Sequence, residues 1–410
     1  MLNYPAKSTD SKAASRAVLN ATNDDLVPDL VPAPHVEAAI ERLLSKLHIA
    51  VVFGGNRTHD GAVIYPTFNT RSWKSYEAVA SDIARALRRI GFKHVDLVAD
   101  DMHVGDKLRR MSAQFAWLNT AGVQGQNPTS HAPAMMEMFG LPYVGHDPLT
   151  STLLDNKQWF KRELIGAGIP TARFITWNVA RGPFCPEMNS RFKRAFAGYE
   201  GPYVVKPALG RASLHVEFVE DPIDLREAVM QIYAATHCEV LIEAYLPGRE
   251  FVVATCGPTV ARAGRLYHHG GPFVFGAQER ALAPGEIIFT SMDFQPITRS
   301  RIRQLDLGTD LATRTQLHEL ARNIYLEFNL ATLVRLDVRS DEKGRIHVLE
   351  ANPKPDLKEP TETVTSLICE GLTEHNMSYD DLILSLLADR ISAMIARQHG
   401  MYPHIEELLK

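Results

Sequence analysis

Arg335-Leu336-Asp337-Val338-Arg339, then Ser340-Asp341-Glu342-Lys343-Gly344-Arg345, then Ile346-His347-Val348-Leu349-Glu350-Ala351-Asn352 is the stretch on which the reading of this 410-residue chain turns. Two apolar runs, Leu330 to Arg339 and Arg345 to Ala351, flank a polar turn containing glycine, so the pattern predicts a β-hairpin. Side chains alternate between the two faces of a strand, so Glu350 and Asn352, two residues apart, share a face. If Asp337 lies opposite them, three oxygen-bearing side chains converge on one patch. Such a set suits Mg²⁺, which takes hard oxygen ligands and fills its octahedron with phosphate oxygens. Taken alone, the hairpin reads better as a solvated face with scattered charges. The motifs upstream of it reverse that balance.

The first is Tyr203-Val204-Val205-Lys206-Pro207, an apolar strand ending in a lysine, followed by the loop Ala208 to Ser213. An ammonium there can sit over an α- or β-phosphate, and the loop's N–H groups can wrap a phosphate tail. A solvated strand end is the plainer reading of a lone lysine. The second is Val240-Leu241-Ile242-Glu243-Ala244-Tyr245-Leu246-Pro247-Gly248-Arg249-Glu250-Phe251. Its strand ends at Glu243, and Gly248 marks a tight return. Main-chain groups at Ala244 to Leu246 could meet an adenine edge and Glu250 a ribose. Alternatively Glu243 and Glu250 are strand-end charges and Leu246 is core.

In this order and spacing, the three clusters resemble the ATP-grasp superfamily, most closely its D-alanine–D-alanine ligase branch, from about Asn156 to Asn352. The resemblance implies an ATP-grasp fold that mixes α/β and α+β units, with an open parallel α/β domain at the N-terminus. It implies that ATP is bound by Lys157, Lys206, Ser213, Glu243, Ala244, Leu246 and Glu250. Lys157 follows Asp155-Asn156 as the family's second phosphate-binding lysine does. Two Mg²⁺ ions, for which Mn²⁺ can substitute, would be held by Asp337, Glu350 and Asn352. Arg335 would be the catalytic residue, steadying an acyl phosphate and the tetrahedral intermediate. The implied activity is an ADP-forming ligase joining a small acid to an amine. A carboxylate is a poor electrophile until one oxygen is phosphorylated, and the protein's task is then positioning and charge neutralisation. A true D-alanine–D-alanine ligase of cell-wall synthesis and an ATP-grasp small-molecule kinase remain the alternatives.

The substrate half departs from the family. After Asn352 the run Pro353-Lys354-Pro355-Asp356-Leu357-Lys358 places Asp356 where the family has a glycine. Gly54-Gly55 runs into Asn56-Arg57-Thr58-His59-Asp60 without the family's glutamate. Asp60, Asp356 and Lys358 are therefore candidates for substrate contact. Arg211 and His215 occupy usual glycine positions in the phosphate loop, and the family's tyrosine-rich lid has no counterpart between 268 and 300. His268-His269 reads best as a surface loop pair. The substrates are expected to be amino acids or related small acids.

Outside these motifs, residues 1–45 carry several prolines and read as an irregular extension in which only Lys12 to Leu19 could be helical. Strands alternate with helices over 46–153, the pattern of an open parallel α/β domain. An α+β ATP-binding unit is expected over 154–256, and a catalytic unit with the hairpin over 257–410, of which 257–312 is the least readable part. The net charge of −4 argues against a nucleic-acid binder, which usually carries a basic excess. Cys185, Cys238, Cys256 and Cys369 form no C-x-x-C pair, which fits a reducing compartment. No apolar run spans a membrane and no secretory core opens the chain. A cytoplasmic enzyme with small-molecule partners is expected, and a homodimer is compatible with the resemblance.

Overall fold

The computed structural model describes residues 30–55, 76–210, 213–282, 285–288, 299–306, 308–362, 365–397, 401 and 403–410. The expected helix Lys12 to Leu19, the loop with Asp60, Arg211 and the segment Phe289 to Asp293 lie outside the described residues.

The part of the N-terminal extension that is described is not irregular. It forms a short strand, β1 (Val31–Pro32), and a helix, α1 (Pro34–Leu43). Val36, Ala39, Ile40 and Leu43 recur at helical spacing and are buried. Pro34 stands in the first turn, where a missing N–H costs nothing, so the prolines mark a helix start rather than disorder.

The N-terminal domain follows as β2 (His48–Gly54), α2 (Glu77–Ile90), β3 (His94–Asp100), α3 (Val104–Arg110), β4 (Phe115–Asn119), α4 (His131–Met138) and β5 (Tyr143–Val144). Its sheet has the order β3-β2-β4-β5 with all pairings parallel. In α2, Val79, Ala80, Ile83, Ala86 and Leu87 form the buried stripe, and Gly91 ends the helix at φ +125° with its N–H on Leu87 and Arg88 carbonyls.

The linking helix α5 (Pro148–Asp155) runs into α6 (Lys157–Gly166) through one residue, Asn156. Its side chain accepts from the N–H groups of Gln158 and Trp159 and so caps α6. The central unit then carries β6 (Phe174–Trp177), α7 (Ser190–Ala195), β7 (Tyr203–Pro207), β8 (Glu217–Val219), α8 (Leu225–Thr236) and β9 (Val240–Ala244). Its antiparallel sheet, β6-β9-β7-β8, packs over Phe192, Phe196, Tyr203 and the α8 face Leu225, Val229, Ile232.

Next come β10 (Glu250–Cys256), β11 (Thr259–Arg262), β12 (Arg265–His268), β13 (Phe273–Arg280), β14 (Ile302–Gln304), α9 (Leu311–Glu327), β15 (Val334–Ser340), β16 (Ile346–Asn352), α10 (Tyr379–Arg397) and α11 (Pro403–Leu409). The expected boundary after Cys256 lies too late in the chain, because β10 belongs to the sheet β14-β13-β10-β15-β16 of the third unit. The described residues of the poorly readable region 257–312 contain four strands. Two of them, β11 and β12, join β1 in a three-stranded sheet, with Val31 opposite His268. The N-terminal segment is thus tied to the C-terminal unit by pairing more than 200 residues distant, which no local pattern announces. The histidine pair is also corrected: His268 ends β12 exposed, whereas His269 is buried against Phe273. Among the described residues, no helix is long and apolar enough to cross a membrane.

Candidate active site

The hairpin of β15 and β16 forms as its sequence suggests. Asp341 holds the turn by accepting from the N–H groups of Lys343 and Arg345, each at 2.9 Å, and Gly344 supplies the left-handed residue at φ +77°. Arg335 lies opposite Asn352 and Asp337 opposite Glu350, so all four side chains share one face. Beyond that pair the register slips: Val338 faces Val348, leaving Leu349 as an extra residue on β16. This bulge turns Leu349 toward the same cleft as Glu350, although simple alternation would put it on the opposite face.

That cleft lies between the central and third units and holds about 800 Å³ of empty space, part of it open to solvent. Of the residues expected to hold nucleotide or metal, Lys157, Lys206, Ser213, Glu243, Ala244, Leu246, Glu250, Asp337 and Glu350 line it. Arg335 and Asn352 lie one register step further along the hairpin and are not among its lining residues. Asp356 and Lys358 sit in the loop after β16, also outside the cleft, with Asp356 accepting from Lys358 N at 3.2 Å. Asp356 is nonetheless close enough to Arg335 for its charge to favour the guanidinium.

Helix α6 delivers two lysines to the site. Lys157 reaches the Gly210 carbonyl at 2.6 Å and Glu350 at 3.2 Å, tying the phosphate loop to the hairpin. Lys161, one turn on and fully buried, pairs with Glu243 at 2.5 Å, while Lys206 takes the other carboxylate oxygen at 2.5 Å. Burial opposes the charge on Glu243, but the flanking ammoniums outweigh it and hold the carboxyl below its ordinary range. For Lys161 burial wins, pushing its pKa down. For Lys206 burial is outweighed by Glu243 and Glu350, and the pKa rises. Burial of Glu350 is likewise outweighed by Lys157 and Lys206, which bring its pKa to about 2. These carboxylates are ionised at neutral pH.

A second chain of alternating charge runs across β10, β13 and β15. Arg335 grips Asp337 through Nε at 2.7 Å and a second nitrogen at 3.0 Å. Arg280 bridges Asp337 at 3.2 Å and Glu250 at 3.0 Å, and Arg339 stands 3.6 Å from the same glutamate. Arg280 and Arg339 also line the cleft, as does Leu349. The sequence reading missed all three. Arg280 ends a strand in the unreadable region, and only its pairing with β10 brings it to Glu250. Arg339 was part of the quoted motif, two residues after Asp337 on the same strand face, a signal that was available.

The expected adenine edge is only partly open. The Ala244 N–H donates to the Arg173 carbonyl at 2.9 Å and the Tyr245 N–H to Pro202 at 3.0 Å, whereas the Leu246 N–H has no partner among the described residues. In the phosphate loop, Ser213 and His215 adopt left-handed backbone at φ +54° and +55°, a conformation glycine takes without strain. Their side chains are exposed.

Divalent cations fit the donor chemistry of this face. It carries the cross-strand carboxylates Asp337 and Glu350 and, two residues along the same strand face, the Asn352 amide, whose oxygen would be the ligating atom. Asp337 and Glu350 are meanwhile neutralised by Arg335, Arg280 and Lys157.

Comparison with known proteins agrees with this geometry. A family model described as D-ala D-ala ligase C-terminus matches residues 164–388, more than half of the chain. An uncharacterised protein of Sinorhizobium fredii is 29% identical over 282 residues, 69% of this chain and 76% of that one. A D-alanine–D-alanine ligase of Gloeobacter violaceus is 28% identical over 305 residues, 74% of this chain and 91% of its own. The crystal structure of the D-alanine–D-alanine ligase from Bacillus anthracis complexed with ATP superposes with a TM-score of 0.59 at 18% identity. It covers 85% of this chain and 99% of that one, a likeness of fold. The chain belongs to the D-ala D-ala ligase C-terminus family: it is an ATP-grasp protein and an ATP-dependent ligase that forms carbon–nitrogen bonds.

Proposed function

We propose that this ligase activates the carboxyl group of an amino acid or related small acid as an acyl phosphate and joins it to an amine, releasing ADP and phosphate. The observation that carries the reading is the meeting, in one cleft, of two phosphate-directed lysines with the Asp337–Glu350 cross-strand pair. Lys157 and Lys206 neutralise the polyphosphate, and Leu246 and Leu349 bracket the base. Glu250 accepts from the ribose. Arg335 stabilises negative charge that develops on the acyl oxygen, and preorganised cations of this kind act without reorganising during the reaction. Asp337, Glu350 and Asn352 hold Mg²⁺, which supplies Lewis-acid neutralisation of the phosphate oxygens when bound.

Asp356 and Lys358 follow the metal-binding strand and stand for the substrate end. Asp356, whose charge acts on Arg335, puts a carboxylate near the substrate end, where an acceptor's ammonium can be met. The four cysteines are free thiols and the cosubstrate is ATP, which supports a cytoplasmic setting.

The test is a pairwise screen of small acids and amines for phosphate release, with products identified by mass. ADP and phosphate are expected only when both partners are present, together with an amide. AMP and pyrophosphate as products would overturn the reading. Phosphate retained on the acid would make the protein a kinase, and full turnover on D-alanine alone would make it a D-alanine–D-alanine ligase.

A further inference from the structure

The helix α6 serves two cavities. Lys157 and Lys161, four residues apart, form one column of its surface: Lys157 lines the first cleft, and the buried Lys161 pairs with Glu243 of its wall. Gln158 and Arg162 form the adjacent column and face a second cavity, with about 650 Å³ of empty space, part of it open to solvent, at the outer side of the central unit. Its wall is made by guanidinium groups from three separate elements: Arg162 of α6, Arg181 of the turn after β6, and Arg191 of α7.

One carboxylate, Glu239, faces them, and it is already engaged by Asn178 Nδ2 at 3.3 Å. Gln158, 95% buried, forms part of the lining. With its amide nitrogen on Glu239 at 2.6 Å, its oxygen accepts from Thr176 at 3.2 Å and from Arg162 at 3.0 Å. Arg162 also stacks on Trp159, 4.9 Å from its ring centroid. The side chains of Arg181 and Arg191 have no hydrogen bond or ion pair among the described residues. Three positive charges against one engaged carboxylate leave an excess of about two, in a chain whose net charge is −4. Arginine forks match the planar edges and charge of phosphate oxygens.

We propose that this second cavity is a binding site for a small phosphate-bearing anion, coupled to the nucleotide cleft through α6. Binding draws Arg162 and Gln158 toward the anion, and the same turn of helix carries Lys157 and Lys161. The coupling rests on the nucleotide reading of the first cleft, but the binding itself does not.

The experiment is calorimetric titration of the full chain with inorganic phosphate and with glycerol 3-phosphate, with ADP saturating so that the nucleotide cleft is filled. Saturable binding is expected for at least one probe, weakened by about tenfold or more in the Arg181→Ala/Arg191→Ala double variant and in Arg162→Ala. Arg226→Ala, an exposed change on α8, should leave it unaltered. Preference for the ester identifies an organic phosphate as the natural occupant, and preference for the free ion identifies phosphate itself. Absence of saturation with both probes, or equal binding by wild type and the double variant, overturns the site. Reciprocal ADP titrations with and without the better probe read the coupling: an unchanged ADP affinity overturns that part alone. Arg181 and Arg191 are exposed, so an unchanged melting temperature is expected and shows that the double variant is folded.

Discussion

Two buried polar regions of this protein solve the same problem in opposite ways. In and beside the proposed nucleotide cleft, buried charges meet their opposites, as in Lys161–Glu243–Lys206 and Arg335–Asp337–Arg280–Glu250. Behind it, where β12 and β13 meet α9 and the segment at 374–375, the polar groups are nearly all basic. Phe273 is flanked by His269 at 4.9 Å and His375 at 5.1 Å, with the Arg262 guanidinium 5.7 Å from its ring. His318 and Arg314 extend the cluster on α9, with Glu374 3.0 Å from Arg314. Burial, reinforced by the neighbouring arginines, lowers the pKa of His269 and His375 to about 4 and of His318 to about 3. The cleft keeps its charges and can neutralise phosphate. The histidine cluster sheds its protons and is spent on packing. Paired charge therefore separates the working site from a structural one, even though both are buried.

The sharpest way to break this contrast is to remove the carboxylate between the two lysines. Glu243→Gln removes the carboxylate that both buried ammoniums contact, leaving the more distant Glu350 to offset them, and a loss of about 3–5 kcal/mol in denaturant unfolding is expected. A variant as stable as wild type would show that the triad is not held as described.

Asp337→Asn should lower phosphate release by on the order of 10²–10³-fold, measured at saturating ATP. The melting temperature should also fall, because Arg335 and Arg280 lose their shared carboxylate. Glu350→Gln, at a side chain 26% exposed, should lose comparable activity with a smaller loss of stability, which separates chemistry from folding. Undiminished turnover in both would refute the role of this face.

Next in size is an acid effect from the histidine cluster. These imidazoles titrate near 6.5 in the unfolded chain and at about 3–4 when folded. Below pH 6.5 the unfolded state binds more protons, so stability falls with falling pH until the folded values are reached. Each imidazole contributes up to about 1.4 kcal/mol per pH unit across that window. Melting temperatures between pH 7 and 5 should drop, and His318→Phe should flatten the drop without changing turnover at pH 7.5. Glu350 acts with the opposite kind of shift. Its folded pKa of about 2 lies below the usual carboxylate value, so its contribution is full above about pH 4.5 and disappears toward pH 2. The histidine cluster thus begins to fail below about pH 6.5 and the Glu350 pairing only below about pH 4.5.

The smallest expected effect tests the bulge. Leu349→Ala removes an apolar wall of the cleft and should raise the KM for ATP by about three- to tenfold, with little change in kcat. No change would mean that the bulged side chain does not touch the nucleotide.

How much of this could be read from the chain depends on the distance over which each interaction acts. The facing of Glu350 and Asn352 follows from alternation along one strand, which is local and was legible. The lysine at the end of β7 was legible for the same reason. Asp337 meets Glu350 only through the bulge at Leu349, since the register set by the turn would have put it opposite Leu349.

What folding alone decided is non-local. Arg280 reaches Asp337 because β13 and β15 flank β10, and Lys161 reaches Glu243 across 82 positions of chain. The pairing of β1 with β12 required the N-terminal segment to dock on a distant unit, so it could not be seen in a run of prolines. Sequence by itself determined the family, the nucleotide motifs and which side chains share a strand face, since these are fixed by periods of two and 3.6 residues. Tertiary structure determined which buried charges are matched and which imidazoles stay neutral, because charge is set by whatever the fold brings within a few ångströms.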